Sequence, residues 1–498
     1  MKIKFNNSYV KLPNNFYSRT DPSPVPTPVL IKFNHKLAED LGISEISKDD
    51  ADALDIFSGN KIPLGADPIS MAYAGHQFGG FSPQLGDGRA ILLGEVIGEN
   101  GIRYDFQLKG SGKTPWSRGG DGRSALGPVL REYLVSEAMA KFGVPTTRAL
   151  AAVTTGEEVA RNTLVPGGIL TRIATGFVRV GTFQYFSAKG NQVALQQLAD
   201  YEIDRHYPEA KKEKNPYIAF FEAVVDAQAK LIAKWMSLGF IHGVMNTDNM
   251  SIAGETIDYG PCAFMDNFSH SRVYSSIDHQ SRYAYCNQPK IGQWNLVRLA
   301  ETLLPLFIDN QLVENEEITE KEKQAVVKIA EDILSAYNVS YHQYWREQMR
   351  RKIGLSEEYE GDGELIDELL DIMQSGDADF TLTFYYLSQA AQLSQARALF
   401  DKPEAFDAWV MKWQQCMAKE SIDDAEHYAI MQTVNPVYIP RNHQIEAAIR
   451  AAEDHNDFTV FDALHEVLET PFEHQKGKEK YMLPPEPEEV VHQTFCGT

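Results

Sequence analysis

Apolar positions follow one period early in the chain and another later. RAILLGEVIG (89–98) and IRYDFQLKG (102–110) are apolar, β-branched runs about a GENG turn, which predicts an antiparallel hairpin. Residues 125–142 then place Leu130, Leu134, Ala138 and Phe142 at helical spacing and stop at Gly143 and Pro145, predicting a single helix. ALAAVTT (149–155), GGILTRIA (167–174) and GFVRVGTFQYF (176–186) read as further strands. Beyond them the helical period takes over. YIAFFEAVVDAQAKLIAKWMSLGF predicts a long helix ending at Gly239, and helical patterns recur at 294–307, 318–337, 364–374, 384–399 and 403–418. TDPSPVPTPVLI (20–31) is punctuated by Pro, which lacks an amide donor, so it is expected as an extended arm. The Pro- and Glu-rich tail YMLPPEPEEVVHQTFCGT is expected over the surface. The pattern predicts an α+β fold of two lobes with a cleft between them. Its parts are an N-terminal extension (1–80), a β-rich N-lobe with one key helix (81–180), a larger helical C-lobe (181–475) and a tail (476–498).

Composition narrows the function classes. The chain has 498 residues, 43% hydrophobic and 23% charged, the proportions of a globular protein with ample material for a core. Lys and Arg number 47 against 69 Asp and Glu, a net charge of −22 that repels a phosphate backbone, so nucleic-acid binding is not expected. No apolar run reaches the roughly 18 residues of a membrane span, and MKIKFNNSYVKLPNN resembles neither a signal nor a transit peptide. The four cysteines, Cys262, Cys286, Cys416 and Cys496, form no CxxC pair, which argues against a zinc site or a disulfide scaffold and fits a reducing cytoplasm.

Three segments carry candidate chemistry. In LGDGRAILLGE, Gly86 and Gly88 can let backbone amides approach a phosphate, although Gly-Asp-Gly alone equally describes a hairpin turn. The strand YDFQLK ends at Lys109 and the next helix carries Glu132, 23 positions on, the order of a kinase lysine and its helix partner; a surface lysine and a solvated glutamate would give the same letters. HGVMNTDNMSIAGETIDYG places Asp248, Asn249 and Asp258 on a loop, strand and turn, and an amide and a carboxylate across a short hairpin suit a hard ion such as Mg2+. The order HG, N, DYG parallels the kinase HRD, N and DFG elements. The usual catalytic Asp position is Val244, however, which leaves Asp248 as the nearby carboxylate able to replace it. GKT in QLKGSGKTPWS is a poor P-loop, because Gln107 stands where its first Gly belongs and Pro115 follows Thr114; Lys113 and Thr114 are expected in a flexible loop over the cleft. Arg89, Arg123, Arg172 and Arg179 fall in or beside these segments, and guanidinium forks suit phosphate oxygens.

With AGHQFG, QLGDGRAILLGE, LKGSGKTPWSRGGDGR, REYLVSEAM, GVPTTRAL, HGVMNTDNMSIAG, IDYGP, DHQSRYAYCNQP and VNPVYIPRN in this order, the chain resembles the selenoprotein O (YdiU) family of kinase-like protein nucleotidyltransferases. The resemblance implies a protein-kinase-like fold that binds ATP inverted and transfers AMP to Ser, Thr or Tyr hydroxyls of proteins, with UMP transfer from UTP also attributed to the bacterial branch; since no substrate can be named from the sequence, self-modification is the expected first signal. It implies that Gly86, Gly88, Arg89, Lys109, Asp121, Gly122, Arg172, Arg179 and Asp258 hold the nucleotide and that Glu132 pairs with Lys109. It further implies that Asn249 and Asp258 bind Mg2+ or Mn2+ and that Asp248 accepts the proton. Some relatives are thought to pair a C-terminal Cys with one after the DYG element; SHSRVYSSIDHQ has none, leaving Cys262 and Cys286 as candidate partners for Cys496. An inert ATP-binding pseudokinase scaffold and a small-molecule kinase are the alternatives. Val244 disfavours the second, and Lys109, Asp248, Asn249 and Asp258 disfavour the first.

Overall fold

The computed structural model describes residues 2–43, 50–308 and 319–495. In chain order its strands are β1 (Tyr17–Arg19), β2 (Val29–Phe33), β3 (Ile69–Met71), β4 (Gly75–Gln77), β5 (Gly80–Ser82), β6 (Ala90–Ile97), β7 (Arg103–Lys109), β8 (Ser124–Ala125), β9 (Arg148–Ala160), β10 (Leu164–Ala174), β11 (Phe240–Ile241) and β12 (Ala263–Phe264). An antiparallel sheet runs in the order β1-β3-β6-β7-β10-β9-β2, with β8 pairing on β10. Stretch 1–80 thus supplies both ends of the sheet. The Pro-punctuated arm leads into β2 at its edge, where missing amide donors are tolerated.

Helices α1 (His35–Asp40), α2 (Ala51–Phe57) and α3 (Leu126–Lys141) cover the sheet. Because successive strand residues face opposite ways, the sheet feeds two cores. Leu92 and Leu170 pack with Leu130, Leu134 and Ala138 of α3, while Ile91, Leu93, Ile169 and Ile173 pack with Leu37, Ile56 and Phe57 of α1 and α2. Each such buried side chain contributes roughly 1.5–3 kcal/mol. Beyond the sheet come α4 (Val180–Ala188), α5 (Gln192–His206), α6 (Pro216–Ser237), α7 (Gln288–Phe307), α8 (Glu320–Lys352), α9 (Asp362–Ser375), α10 (Phe380–Leu387), α11 (Leu393–Ala398), α12 (Pro403–Met417), α13 (Asp424–Val434), α14 (Asn442–His455) and α15 (Thr459–Leu468). The long helix α6 starts as its sequence directs, with Asn215 accepting from the amides of Tyr217 and Ile218, and closes at Gly239 with φ +68°.

Several expectations are corrected. GFVRVGTFQYF is not a strand: its second half forms α4, where Thr182 Oγ1 accepts from the Arg179 amide at 3.0 Å. Every residue from Phe177 to Phe186 is buried, so no polar face was available to reveal the helical period. The stretch expected as one helix over 384–399 is broken between α10 and α11. No hairpin joins Asn249 to Asp258; Thr247–Asn249 is a 3₁₀ turn, and the following loop bridges to Arg179 through Ser251 and to Thr146 through Thr256. Residue 318 and Cys496 lie outside the described residues. Among those described, no helix is long and apolar enough to cross a membrane.

Candidate active site

All twelve residues put forward from the sequence for nucleotide, metal or proton transfer line one cleft of about 610 Å3. Lys109 is the last residue of β7, and strand alternation places Gln107 on the same face. Across the register Gln107 sits opposite Arg172 of β10, and its Oε1 accepts from Arg172 Nε at 3.1 Å. That bond aims a fully buried guanidinium along the sheet. From α3, Glu132 accepts from Lys109 at 2.6 Å and from Arg172 at 3.1 Å.

Asp258 closes the cluster. Its Oδ1 accepts from Arg172 at 2.6 Å and Lys109 at 3.1 Å, and its Oδ2 accepts from Arg179. Burial alone would raise its pKa, but Arg179, Lys109 and Arg172 hold it well below the usual carboxylate range. Its backbone is left-handed, φ +60°, a strained conformation for a residue other than glycine that these bonds hold in place. Three cations thus face Glu132 and Asp258, with a third carboxylate, Asp87, 4.0 Å from Arg179, so buried cations are concentrated here in a chain of net charge −22.

Asp248 has a different environment. Oδ2 accepts from Gln77 Nε2 at 3.0 Å, whereas Oδ1 is buried with no hydrogen-bond partner among the described residues. Burial pushes the carboxyl up to about 6, against the lowering effects of Gln77 and Arg179. Its backbone carbonyl accepts from Arg179 Nη1 at 2.5 Å, so one arginine fixes both the Asp248 loop and Asp258. Asn249 donates its side-chain nitrogen to the Val244 carbonyl at 3.0 Å, which leaves the amide oxygen as its remaining donor atom to a ligand. Among the described residues no group of three or more His, Cys, Asp or Glu side chains gathers to hold a metal. The Asn249 amide oxygen and the Asp258 carboxylate are nonetheless hard oxygen donors that both line the cleft, donor types that fit Mg2+ or Mn2+.

Gly86 and Gly122 of the cleft lining also pack closely against neighbouring loops. A Cβ on Gly86 would lie 2.4 Å from the Trp116 ring, and one on Gly122 would lie 2.2 Å from the Gly112 backbone. They let the 85–89 and 112–122 loops interlock. Thr114 is fastened within that lock, its hydroxyl donating to the Asp87 carbonyl at 2.7 Å, so the expected loose loop is anchored. Arg123 donates to the Ser23 and Pro24 carbonyls and pairs with Glu157, and Asp121 pairs with Arg161 at 2.7 Å. Asp87, Gln107, Gln77 and Tyr73 are cleft-lining or cleft-supporting residues that the sequence reading missed. Only Gln107 had a usable signal, its same-face spacing from Lys109.

A family model described as "Protein adenylyltransferase SelO" matches residues 1–469. The chain belongs to the SelO family. Similar relatives within it are named "Protein nucleotidyltransferase YdiU". The one from Bradyrhizobium sp. (strain ORS 278) is 54% identical over 497 residues, covering 99% of each chain. That from Rhodopseudomonas palustris (strain BisB18) is 55% identical over 497 residues with the same coverage. That from Rhizobium meliloti (strain 1021) is 53% identical over 505 residues, covering 100% of this chain and 99% of its own. Of the two candidate partners for Cys496, Cys262 is buried, which pushes its thiol up to about 12, and Cys286 is exposed.

Proposed function

We propose that this chain transfers AMP from ATP to Ser, Thr or Tyr hydroxyls of proteins, in a kinase-like cleft between the sheet with α3 and the helical remainder. The observation that carries the reading is the cluster of Lys109, Arg172 and Arg179 about Asp258, whose ammonium and guanidinium donors suit a triphosphate. Asp248 supplies the second requirement. With a pKa near 6 it is ionised at neutral pH, and as a carboxylate lining the cleft it is the group to take a hydroxyl proton. The acceptor oxygen attacks the α-phosphorus, the bond to pyrophosphate breaks, and the proton passes to Asp248 while the three cations hold the departing phosphates. Asn249 and Asp258 would hold Mg2+ or Mn2+, which screens phosphate charge when bound.

Val244 favours nucleotidyl over phosphoryl transfer, since the usual kinase base position carries no proton acceptor. Incubation with ATP labelled at the α- or the γ-phosphate tests the reading. Protein, the chain itself first, should take the α label alone, and marking by γ alone would return the chain to the kinases. UTP labelled at its α-phosphate measures base preference in the same assay.

A further inference from the structure

The open end of the cleft is built differently from its cationic floor. β4 and β5 form a hairpin whose turn holds Phe78 at φ +52°, a left-handed conformation that bulky aromatics rarely take. Its amide is held by Asn246 Oδ1 and the Tyr283 hydroxyl, both at 3.1 Å. Apolar groups face solvent here: Phe78 is 36% and Ile277 52% exposed in the cleft lining, and Phe81 of the same hairpin is 43% exposed. His76 of the same hairpin stands edge-on to Trp294 at 5.3 Å, and Trp294 carries the guanidinium groups of Arg282 at 4.7 Å and Arg298 at 5.1 Å.

Arg298 has a carboxylate partner in Glu301. Arg282 has none among the described residues: nearby Asp278 spends its carboxylate on the backbone amides of Arg282 and Tyr283. The surface is continuous with the reaction site, because Phe78 and Ile277 line the cleft and Gln77 bonds the Asp248 carboxylate.

We propose that this surface docks the acceptor polypeptide as an extended segment carrying an apolar side chain and a carboxylate beside its hydroxyl residue. The inference rests on the transfer reading given for Asp248. Exposed aromatics around an arginine form the kind of anchor that carries binding energy at protein interfaces. A guanidinium stacked on Trp294 and without a carboxylate partner among the described residues marks, on a chain of net charge −22, a place where an acidic segment, repelled elsewhere, is attracted. Phosphate is served by the separate cluster on the floor, so the mouth is left to the acceptor.

The test uses fluorescent Ser-centred peptides and the full chain, read by anisotropy. A peptide with Phe and Asp flanking the Ser should bind about tenfold tighter than one with Lys for Asp. Arg282→Glu should reverse that order, and Phe81→Ala should weaken the acidic peptide, while both variants keep the melting-temperature shift given by ATP. Equal binding of the two peptides, or an unchanged order in Arg282→Glu, overturns the proposal. So does self-association abolished by Arg282→Glu in place of peptide binding, which assigns the surface to a second copy. The preference without α-label transfer would sink the transfer reading instead, and transfer without the preference would sink this one.

Discussion

At the scale of single residues, Asp258 and Asp248 are two carboxylates that their surroundings drive in opposite directions, and each makes a prediction. Asp258→Asn leaves three buried cations with too little negative charge, so the ligand-free protein should lose on the order of 3 kcal/mol, read by denaturant melts. Metal-free ATP should still bind it, or bind more tightly, while transfer falls at least ~100-fold. Retained transfer would show that the carboxylate is structural only. Asp248 is raised from an ordinary 3.8 to about 6, so in that window the folded state binds more protons than the unfolded chain. Stability from this group therefore falls as pH rises from about 4 to 6, and above 6 the full penalty, on the order of 2–3 kcal/mol, is present. Asp248→Asn should thus melt higher than the parent at pH 8 and about equally at pH 4, while transfer is lost at both. In the parent, turnover should rise with pH through about 6 and level off above it. A flat profile between pH 5 and 7 would remove Asp248 as proton acceptor.

At the scale of elements, the site depends on β7, β10 and α3 meeting in register. Lys109, Glu132 and Arg172 are one bonded unit, so Lys109→Met and Glu132→Gln should each lower transfer by roughly 100-fold and the double variant by little more. Multiplying losses would mean that the two act separately. This pairing was legible because a strand ending in Lys and a following helix carrying Glu are both local patterns. Arg172 and Arg179 were legible as residue types but not in their roles, because only the β10–β7 register and the cap of α4 aim them at Asp258. α4 itself was misread for a physical reason: a helix buried on all sides has no polar stripe, and its aromatic and β-branched residues mimic a strand. Asp87 and Gln77 escaped because their partners, the Met71 amide and Asp248, lie across turns that no period announces.

At the scale of the whole molecule, the chain's two ends are drawn to the site's surroundings. Stretch 1–80 builds sheet edges, and Thr494 returns to the segment after Asp258. Its amide donates to the Tyr274 carbonyl at 2.7 Å and its hydroxyl to the Pro261 carbonyl at 2.6 Å. Arg131, the α3 neighbour of Glu132, donates to the Phe495 carbonyl at 3.1 Å and the Gly260 carbonyl at 3.4 Å. The tail therefore holds Pro261 directly and Gly260 through Arg131, next to the strained Asp258 backbone. Truncation after Val491 removes these bonds, each worth about 1 kcal/mol net and partly replaced by water, so global stability should fall by only ~1–3 kcal/mol. The local effect should be larger. Amide exchange at Gly260 and Cys262 should quicken, and transfer should drop about tenfold as Asp258 samples other conformations. Thr494→Ala should reproduce part of both changes, since it loses the bond to Pro261 and keeps the backbone pairing. If the truncated chain exchanges and transfers like the parent, the cations alone hold Asp258 in its left-handed conformation and the tail is a passive cover.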